Sequence, residues 1–543
     1  METPFGVLVG QLAQSAPSFP AVTCDEVTIS RAALEARTNR LARVFRALGV
    51  TPDSLVTIGL PNGIGFFEAM IAAWKLGATP QPISSRLPAA ERRAIVDLAN
   101  PSLVVGVDPS EAPGRPTLPA GFEPDASLPP DPLPAVVATS FKAPTSGGST
   151  GRPKLIVATQ PAIWEALVDY TTLLRMSPDG VHLVTGPLYH NGPFTSAALA
   201  LLKGNHIVVM PRFDAARALM LIERHRVDWM YAVPTMMHRI WRLPAAERTR
   251  FDLSSLRVVF HMAAPCPAWL KEAWIGWLGG DRILELYGGT EAQAITFITG
   301  EEWLEHRGSV GRPLLGEMRI LDPDGNELPA GQVGEIWMRR GADAPPSYRY
   351  VGARAKSRPG NWESLGDMGW KDEQGYIYLS DRETDMILVG GSNVYPAEVE
   401  AALDEHPRVA SSCVIGLPDE EYGNAVHAIV QAPEPLTAAE LDAFLGSRLA
   451  KYKRPRTYEF VAAPLRGDDG KVRRSALRAP SVWPPAPDPG YPSPRARRTG
   501  TSTGTFIARL IRQPSAASWS RASWASSKVP STSSSPSTPV ICP

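Results

Sequence analysis

The chain has 543 residues, with 55 lysines and arginines balanced by 55 aspartates and glutamates. At about 150 residues per domain it is long enough for several domains and for a core that needs no covalent staples. Zero formal net charge excludes a general electrostatic pull toward nucleic acid or anionic lipid. No apolar run of about 18 residues is present, so no transmembrane helix is expected. The N-terminus lacks the basic segment of a secretory leader. Cys24, Cys266, Cys413 and Cys542 lie far apart and form no Cys-x-x-Cys pair, so reduced thiols in a cytoplasmic protein are expected rather than a zinc site or a disulfide framework.

The elements begin with a helix. Ser30 is a good cap, and Leu34, Leu41, Phe45 and Leu48 share one helical face over 31–48, with Gly49 as the stop. A strand over Leu55 to Leu60, a helix from Phe66 to Leu76 ended by Gly77, and a strand from Leu103 to Val107 follow. Alternation of this kind predicts a mainly parallel sheet covered on both faces. The proline-rich stretch 108–137 reads as a surface loop, and alternation resumes from about 155 to 300. Between about 308 and 380 the pattern changes to short strands and turns, such as Asp322-Pro-Asp-Gly325, as in a small barrel. After Asp381 a strand, a helix from Ala397 to Leu403 and a strand from Ser411 to Ile415 open a second, compact domain ending near Arg478. Beyond 481, Ser and Pro fill roughly four positions in ten and Asp488 is the only acid. Such a tail is either naturally disordered or an out-of-frame translation of GC-rich DNA, and the second reading is favoured. The expected fold class is therefore α/β. A large N-terminal domain (1–380) has two α/β sheet subdomains and a small β-barrel-like part. A small mobile α+β C-terminal domain (381–480) and a low-complexity tail (481–543) follow.

Five segments carry chemistry. Thr145-Ser-Gly-Gly-Ser-Thr-Gly-Arg-Pro-Lys154 offers three glycines for close backbone approach to an anion, four hydroxyls and a lysine. It is not the Walker pattern, because Arg-Pro precedes the lysine and Leu155 follows it. Tyr287-Gly-Gly-Thr-Glu291 combines a ring that can stack on a base, a hydroxyl for phosphate and a carboxylate for Mg²⁺, which takes one or two carboxylates plus substrate phosphates. Asp367, in Gly366-Asp-Met-Gly369, can accept both hydroxyls of a ribose, and Arg382 can reach the same sugar. Gly390-Gly-Ser-Asn-Val-Tyr-Pro-Ala-Glu-Val-Glu400 is a glycine turn leading into a helix. Gly470-Lys471-Val472-Arg473 closes the series. Each segment alone has a bland reading as a loop, a turn or a surface ion pair.

In this order the five segments resemble the adenylate-forming superfamily of acyl- and aryl-CoA synthetases, peptide-synthetase adenylation domains and beetle luciferases. The likeness covers about 1–478, with support from Pro187-Leu-Tyr-His190, Val233-Pro-Thr235, Gly308-Ser-Val-Gly-Arg-Pro313 and Tyr452-Lys-Arg-Pro455. The wording Thr145-Ser-Gly-Gly-Ser-Thr-Gly151 and His261-Met-Ala-Ala-Pro-Cys-Pro267 is most similar to bacterial bile-acid, steroid-acid or fatty-acid CoA ligases. The resemblance implies an ATP-dependent carboxylic acid–CoA ligase using ATP, Mg²⁺ and CoA. The alternatives are an adenylation enzyme that loads a carrier protein and a non-catalytic nucleotide-binding relative. It implies that Thr145, Ser146, Gly147, Gly148, Ser149, Thr150, Gly151 and Lys154 cradle the β- and γ-phosphates. Tyr287 and Gly288 pack on adenine, with Ala263 and Ala264 on its other face. Thr290 meets the α-phosphate, Glu291 holds Mg²⁺, and Asp367 and Arg382 hold the ribose. Lys471 touches carboxylate and α-phosphate, His190 lies beside the acyl pocket, and Gly390 and Gly391 line the thiol tunnel. Thr384 falls at the family's hinge position, where Asp or Lys is usual. A homodimer is left open.

Overall fold

In the computed structural model the Ser30 hydroxyl accepts from Ala33 N at 3.2 Å, and the helix Arg31–Ala47 buries Leu34, Leu41 and Phe45. Gly49 leaves it at φ +95° and Gly77 ends the helix Ile64–Lys75 at φ +70°, a region where only glycine is unstrained. The structure describes residues 2–147, 153–382, 385–389, 392–419, 422–467, 470, 472 and 474–477. The tail from 478 on lies outside them, as do the expected Gly148–Gly151 loop, Thr384, the Gly390–Gly391 turn and Lys471.

Two α/β sheets form the large domain. The first has nine strands in the order Arg312–Leu315, Ile295–Thr299, Ile283–Tyr287, Val258–His261, Trp229–Ala232, Val181–Val184, His206–Val209, Pro20–Cys24 and Val27–Ser30. Its six inner strands pair in parallel, while Val27–Ser30, Ile295–Thr299 and Arg312–Leu315 pair antiparallel. Strands such as Trp229–Ala232 and Val258–His261 are buried along their whole length, as parallel strands sandwiched between helices must be. The second sheet is parallel, in the order Thr79–Pro82, Leu55–Ile58, Leu103–Val105, Thr117–Leu118. Its last strand corrects the reading of 108–137 as loop alone. Two residues are too few to show a period, and pairing with Val104 and Val105 defines the strand.

Antiparallel structure takes over next, as the change of pattern predicts. Tyr348–Val351, Pro153–Ala158 and Thr145–Gly147 form a three-stranded sheet. Glu317–Leu321, Gly334–Arg339, Trp362–Lys371, Lys356–Arg358 and Ile377–Arg382 form another. The turn Asp322-Pro-Asp-Gly325 closes with Gly325 N donating to Asp322 O at 3.0 Å. The C-terminal domain packs the helices Pro396–Asp404 and Ala438–Leu445 on the sheet Ser411–Asp419, Gly423–Gln431, Thr457–Val461. Its own core includes Val399, Leu403, Val414, Val430, Leu441 and Leu445. Among the described residues no helix is long and apolar enough to cross a membrane.

Candidate functional site

The site assembles where strands end. Val258–His261 and Ile283–Tyr287 are parallel neighbours, with His261 opposite Glu285. The segments that leave them, Ala263-Ala264 and Tyr287-Gly-Gly-Thr-Glu291, therefore emerge side by side. Carboxyl ends of parallel strands are where α/β sheets bind ligands. Ala263 sits at φ +77°, a left-handed conformation that costs a residue with a Cβ about 1 kcal/mol or more. Gly288 and Gly289 have no room for a side chain. A Cβ on Gly289 would lie 2.3 Å from Leu365 Cδ1 and 2.8 Å from Glu291 Oε2, and one on Gly288 would lie 2.8 Å from Ile295 Cγ2. The turn is glycine because the antiparallel sheet presses against it, which also brings Asp367 within reach. Tyr287 donates its hydroxyl to Asp367 Oδ2 at 2.8 Å. Asp367 and Arg382 are cross-strand partners.

Glu291 is buried, and Lys154 reaches it from the strand Pro153–Ala158, Nζ to Oε1 at 3.3 Å. Lys154 also donates to Tyr350 Oη at 2.8 Å, and Tyr350 in turn donates to the same Glu291 oxygen. Burial, then the Glu291 charge, drives the Tyr350 hydroxyl well above the ordinary range, so it stays a donor. Ser347 Oγ donates to Glu291 O at 2.6 Å. Thr145 is fixed from the other sheet: Gln81 Nε2 donates to its Oγ1 at 2.8 Å, and Thr57 Oγ1 donates to Gln81 at 2.6 Å. Ser146 pairs with Lys154 and Gly147 with Pro153, so the two ends of the Gly148–Gly151 loop are adjacent. Tyr350, Ser347 and Gln81 carry no motif. The alternation in Tyr348-Arg-Tyr-Val351 could have flagged a strand, but nothing local names Lys154 as its neighbour.

His190 precedes the helix Asn191–Leu202, its ring 4.3 Å from the Tyr189 ring. Thr290 is partly exposed beside Glu291. Gly470 is buried, and a Cβ there would stand 3.0 Å from Thr235 Oγ1 and 3.2 Å from Val233 Cγ2. The segment leading to Lys471 thus abuts the end of Trp229–Ala232, the strand next to Val258–His261. Among the described residues no three His, Cys, Asp or Glu side chains cluster as a metal cage. One carboxylate, Glu291, beside a glycine turn fits Mg²⁺ held chiefly by nucleotide phosphates.

The chain matches the AMP-binding enzyme family over residues 10–344 and the AMP-binding enzyme C-terminal domain over 398–467. It is 31% identical over 478 residues to a feruloyl-CoA synthase of Amycolatopsis sp, covering 86% of this chain and 96% of the relative. It is 29% identical over 477 residues to the long-chain-fatty-acid–CoA ligase FadD13 of Mycobacterium tuberculosis, covering 83% and 93%. The structure of o-succinylbenzoate coenzyme A synthetase from Bacillus subtilis with ATP and magnesium ion superposes with a TM-score of 0.75 at 26% identity, covering 88% of this chain and 100% of that one. Two family domains in the right order, with acyl-CoA ligase relatives matched over most of their length, place this chain in the AMP-binding enzyme family, as an AMP-forming acid–CoA ligase that uses ATP, Mg²⁺ and CoA.

Proposed function

We propose that the enzyme activates a bulky or extended apolar carboxylic acid of the fatty, steroid-side-chain or bile-acid kind, with the residue roles that follow. The observation that carries the roles is the pair of contacts flanking Gly288-Gly289. The Tyr287–Asp367 contact lies on one side and is assigned to the nucleoside, and the Lys154–Glu291 contact on the other is assigned to phosphate and Mg²⁺. Support for an apolar acid comes from the buried Phe194, one turn after His190, from Met236, next to Thr235, from the rings of Tyr231 and Phe260, 6.4 Å apart, and from the subgroup likeness. The Tyr231 ring crowds Gly186 and Gly192. Lys142, buried beside the helix Asn191–Leu202, is engaged by Asn191 Oδ1 and Thr195 Oγ1, and burial lowers it to about 7.

In the first step a carboxylate oxygen attacks the α-phosphorus of ATP and pyrophosphate leaves. Two like charges 4 Å apart repel by about 4 kcal/mol at an effective dielectric near 20. Lys154 with the Thr145–Gly151 loop neutralises the β- and γ-phosphates, Thr290 donates to the α-phosphate, and Lys471 bridges it to the carboxylate. Tyr287, Gly288, Ala263 and Ala264 hold adenine, while Asp367 and Arg382 hold ribose, so the reactants meet already oriented. Mg²⁺, when bound at Glu291, adds Lewis-acid charge. In the second step the CoA thiolate attacks the acyl carbon and AMP leaves. Lys471 withdraws as the C-terminal domain turns about Thr384, and the Gly390-Gly391 turn lines the thiol path. His190 borders the acyl group.

The test is incubation with ATP, an acid panel and CoA, scoring AMP and thioester. Turnover of small charged acids in preference to apolar ones would overturn the substrate class. Lys471→Ala abolishes acyl-adenylate formation but leaves thioester synthesis from supplied adenylate within about threefold. An equal loss in both halves would remove Lys471 from its role.

A further inference from the structure

The helix Pro234–Trp241 touches the C-terminal domain at both of its ends. Its first turn, Val233 to Thr235, lies against Gly470. Arg242, the residue that caps its C-terminus, reaches the far end of the helix Pro396–Asp404. Arg242 Nη1 donates to Pro407 O at 2.7 Å, and Nη2 lies near three more carbonyl oxygens, of His406 at 3.1 Å, Asp404 at 3.2 Å and Val409 at 3.4 Å. The Asp404 carbonyl ends the helix, lacks an intrahelical partner and carries part of its negative charge, while the other three lie in the turn just beyond. Nε donates to His238 Nε2 at 2.9 Å, one turn back on Arg242's own helix, and this aims the fork. His238 also bonds the main chain at Ala410. The guanidinium lies 5.9 Å from the Trp269 ring, which stands edge-on to His238 at 5.4 Å. A planar fork with fixed donors suits several carbonyls at once, and an ammonium does not reproduce it.

We propose that Arg242 is a positioning residue for the first half-reaction: its grip on the carbonyls of 404–409 holds the C-terminal domain so that the Gly470 turn stays against Val233–Thr235. The inference rests on the two-step reading above. Arg242 touches no reactant. Its acceptors in the C-terminal domain are all main-chain atoms, so Arg242 is the partner whose removal tests the grip. Release of the same bonds accompanies any turning of the domain, so the latch favours acyl-adenylate formation over thiol transfer.

The experiment uses the full chain with Arg242→Ala and Arg242→Lys. Hydrogen exchange of amides in 233–242 and 404–410 speeds up about three- to tenfold in Arg242→Ala, with the nine-stranded sheet unchanged. ATP–pyrophosphate exchange falls by a similar factor, while thioester formation from supplied acyl-adenylate stays within about twofold. Arg242→Lys falls between wild type and Arg242→Ala. Unchanged exchange in 404–410, or an equal fall in both half-reactions, would overturn the proposal. Failure of the wild type to release AMP with any acid would instead overturn the functional reading, and the amide-exchange comparison would still decide on the latch.

Discussion

Glu291 receives both the Lys154 ammonium and the Tyr350 hydroxyl, and its main-chain oxygen is taken by Ser347. This carboxylate is therefore held in one orientation before any nucleotide arrives. Tyr350→Phe removes one donor to Glu291 and one acceptor from Lys154, a change of about 1–2 kcal/mol in their placement. The expected result is a roughly 5- to 30-fold fall in kcat/KM for ATP with a small change in thermal transition. Unaltered kinetics would show the hydroxyl to be packing only. A second buried constellation lies behind the site, where Lys271 pairs with Glu285 and both are nearly inaccessible. Lys271→Ala strands a buried carboxylate and should cost about 3–5 kcal/mol, whereas Lys271→Met with Glu285→Gln should recover most of it. Equal losses in chemical denaturation would contradict that account. The motif residues Tyr287, Glu291 and Asp367 could be singled out because each stands close to glycines in the sequence. Tyr350, Gln81 and Lys271 were not, because a buried side chain looks the same in sequence whichever partner the fold gives it.

At the scale of elements, the segment before Lys471 is braced from the C-terminal helix. Glu400, buried on Pro396–Asp404, takes Arg466 on Oε2 at 2.9 Å and Arg474 on Oε1 at 2.6 Å, and Arg474 also reaches Asp385 at 3.0 Å. One carboxylate thus ties both flanks of the Gly470 turn to the helix that follows the Gly390-Gly391 turn. Glu400→Ala leaves two arginines facing each other and should destabilise the C-terminal domain by about 3 kcal/mol. Melting of that domain ahead of the large one in calorimetry would show it, and a single unshifted transition would refute it. The period-3.6 face of Arg31–Ala47 and the cap at Ser30 were readable locally. The pairing of Thr117–Leu118 was not, since two residues hold no period and the sheet edge defines them.

For the whole molecule, acid is the expected weakness. His182, His206, His238, His261 and His427 are buried, and desolvation lowers them to about 3 for His182 and about 4 for the others. Folded values below the unfolded 6.5 mean that their contribution is intact above pH 6.5 and is lost as pH falls toward 4. Each histidine contributes a slope of up to about 1.4 kcal/mol per pH unit in that window. Asp404, raised to about 7 by burial, acts with the opposite sign, losing stability as pH rises through 7, but it is one group against five. The thermal transition should fall steeply between pH 6.5 and 5, and a flat profile there would contradict neutral burial. Truncation after residue 480 should leave the transition at neutral pH unchanged, since the family match ends at 467 and the Ser- and Pro-rich composition beyond 481 offers little apolar surface to bury. A large drop would make the tail structural.

Sequence alone determined the alternation that makes a parallel sheet, the change to antiparallel structure after 300, and the glycine turns that carry Tyr287, Thr290 and Glu291. These depend on backbone freedom and short-range period, which neighbours in the chain settle among themselves. The tertiary structure decided which strand lies beside which. It thereby put Lys154 and Tyr350 on Glu291, Asp367 on Tyr287, Gly470 on Thr235 and Arg242 on the end of a helix more than 160 residues away. Such contacts form only when distant segments bury apolar surface together, and no local pattern encodes them.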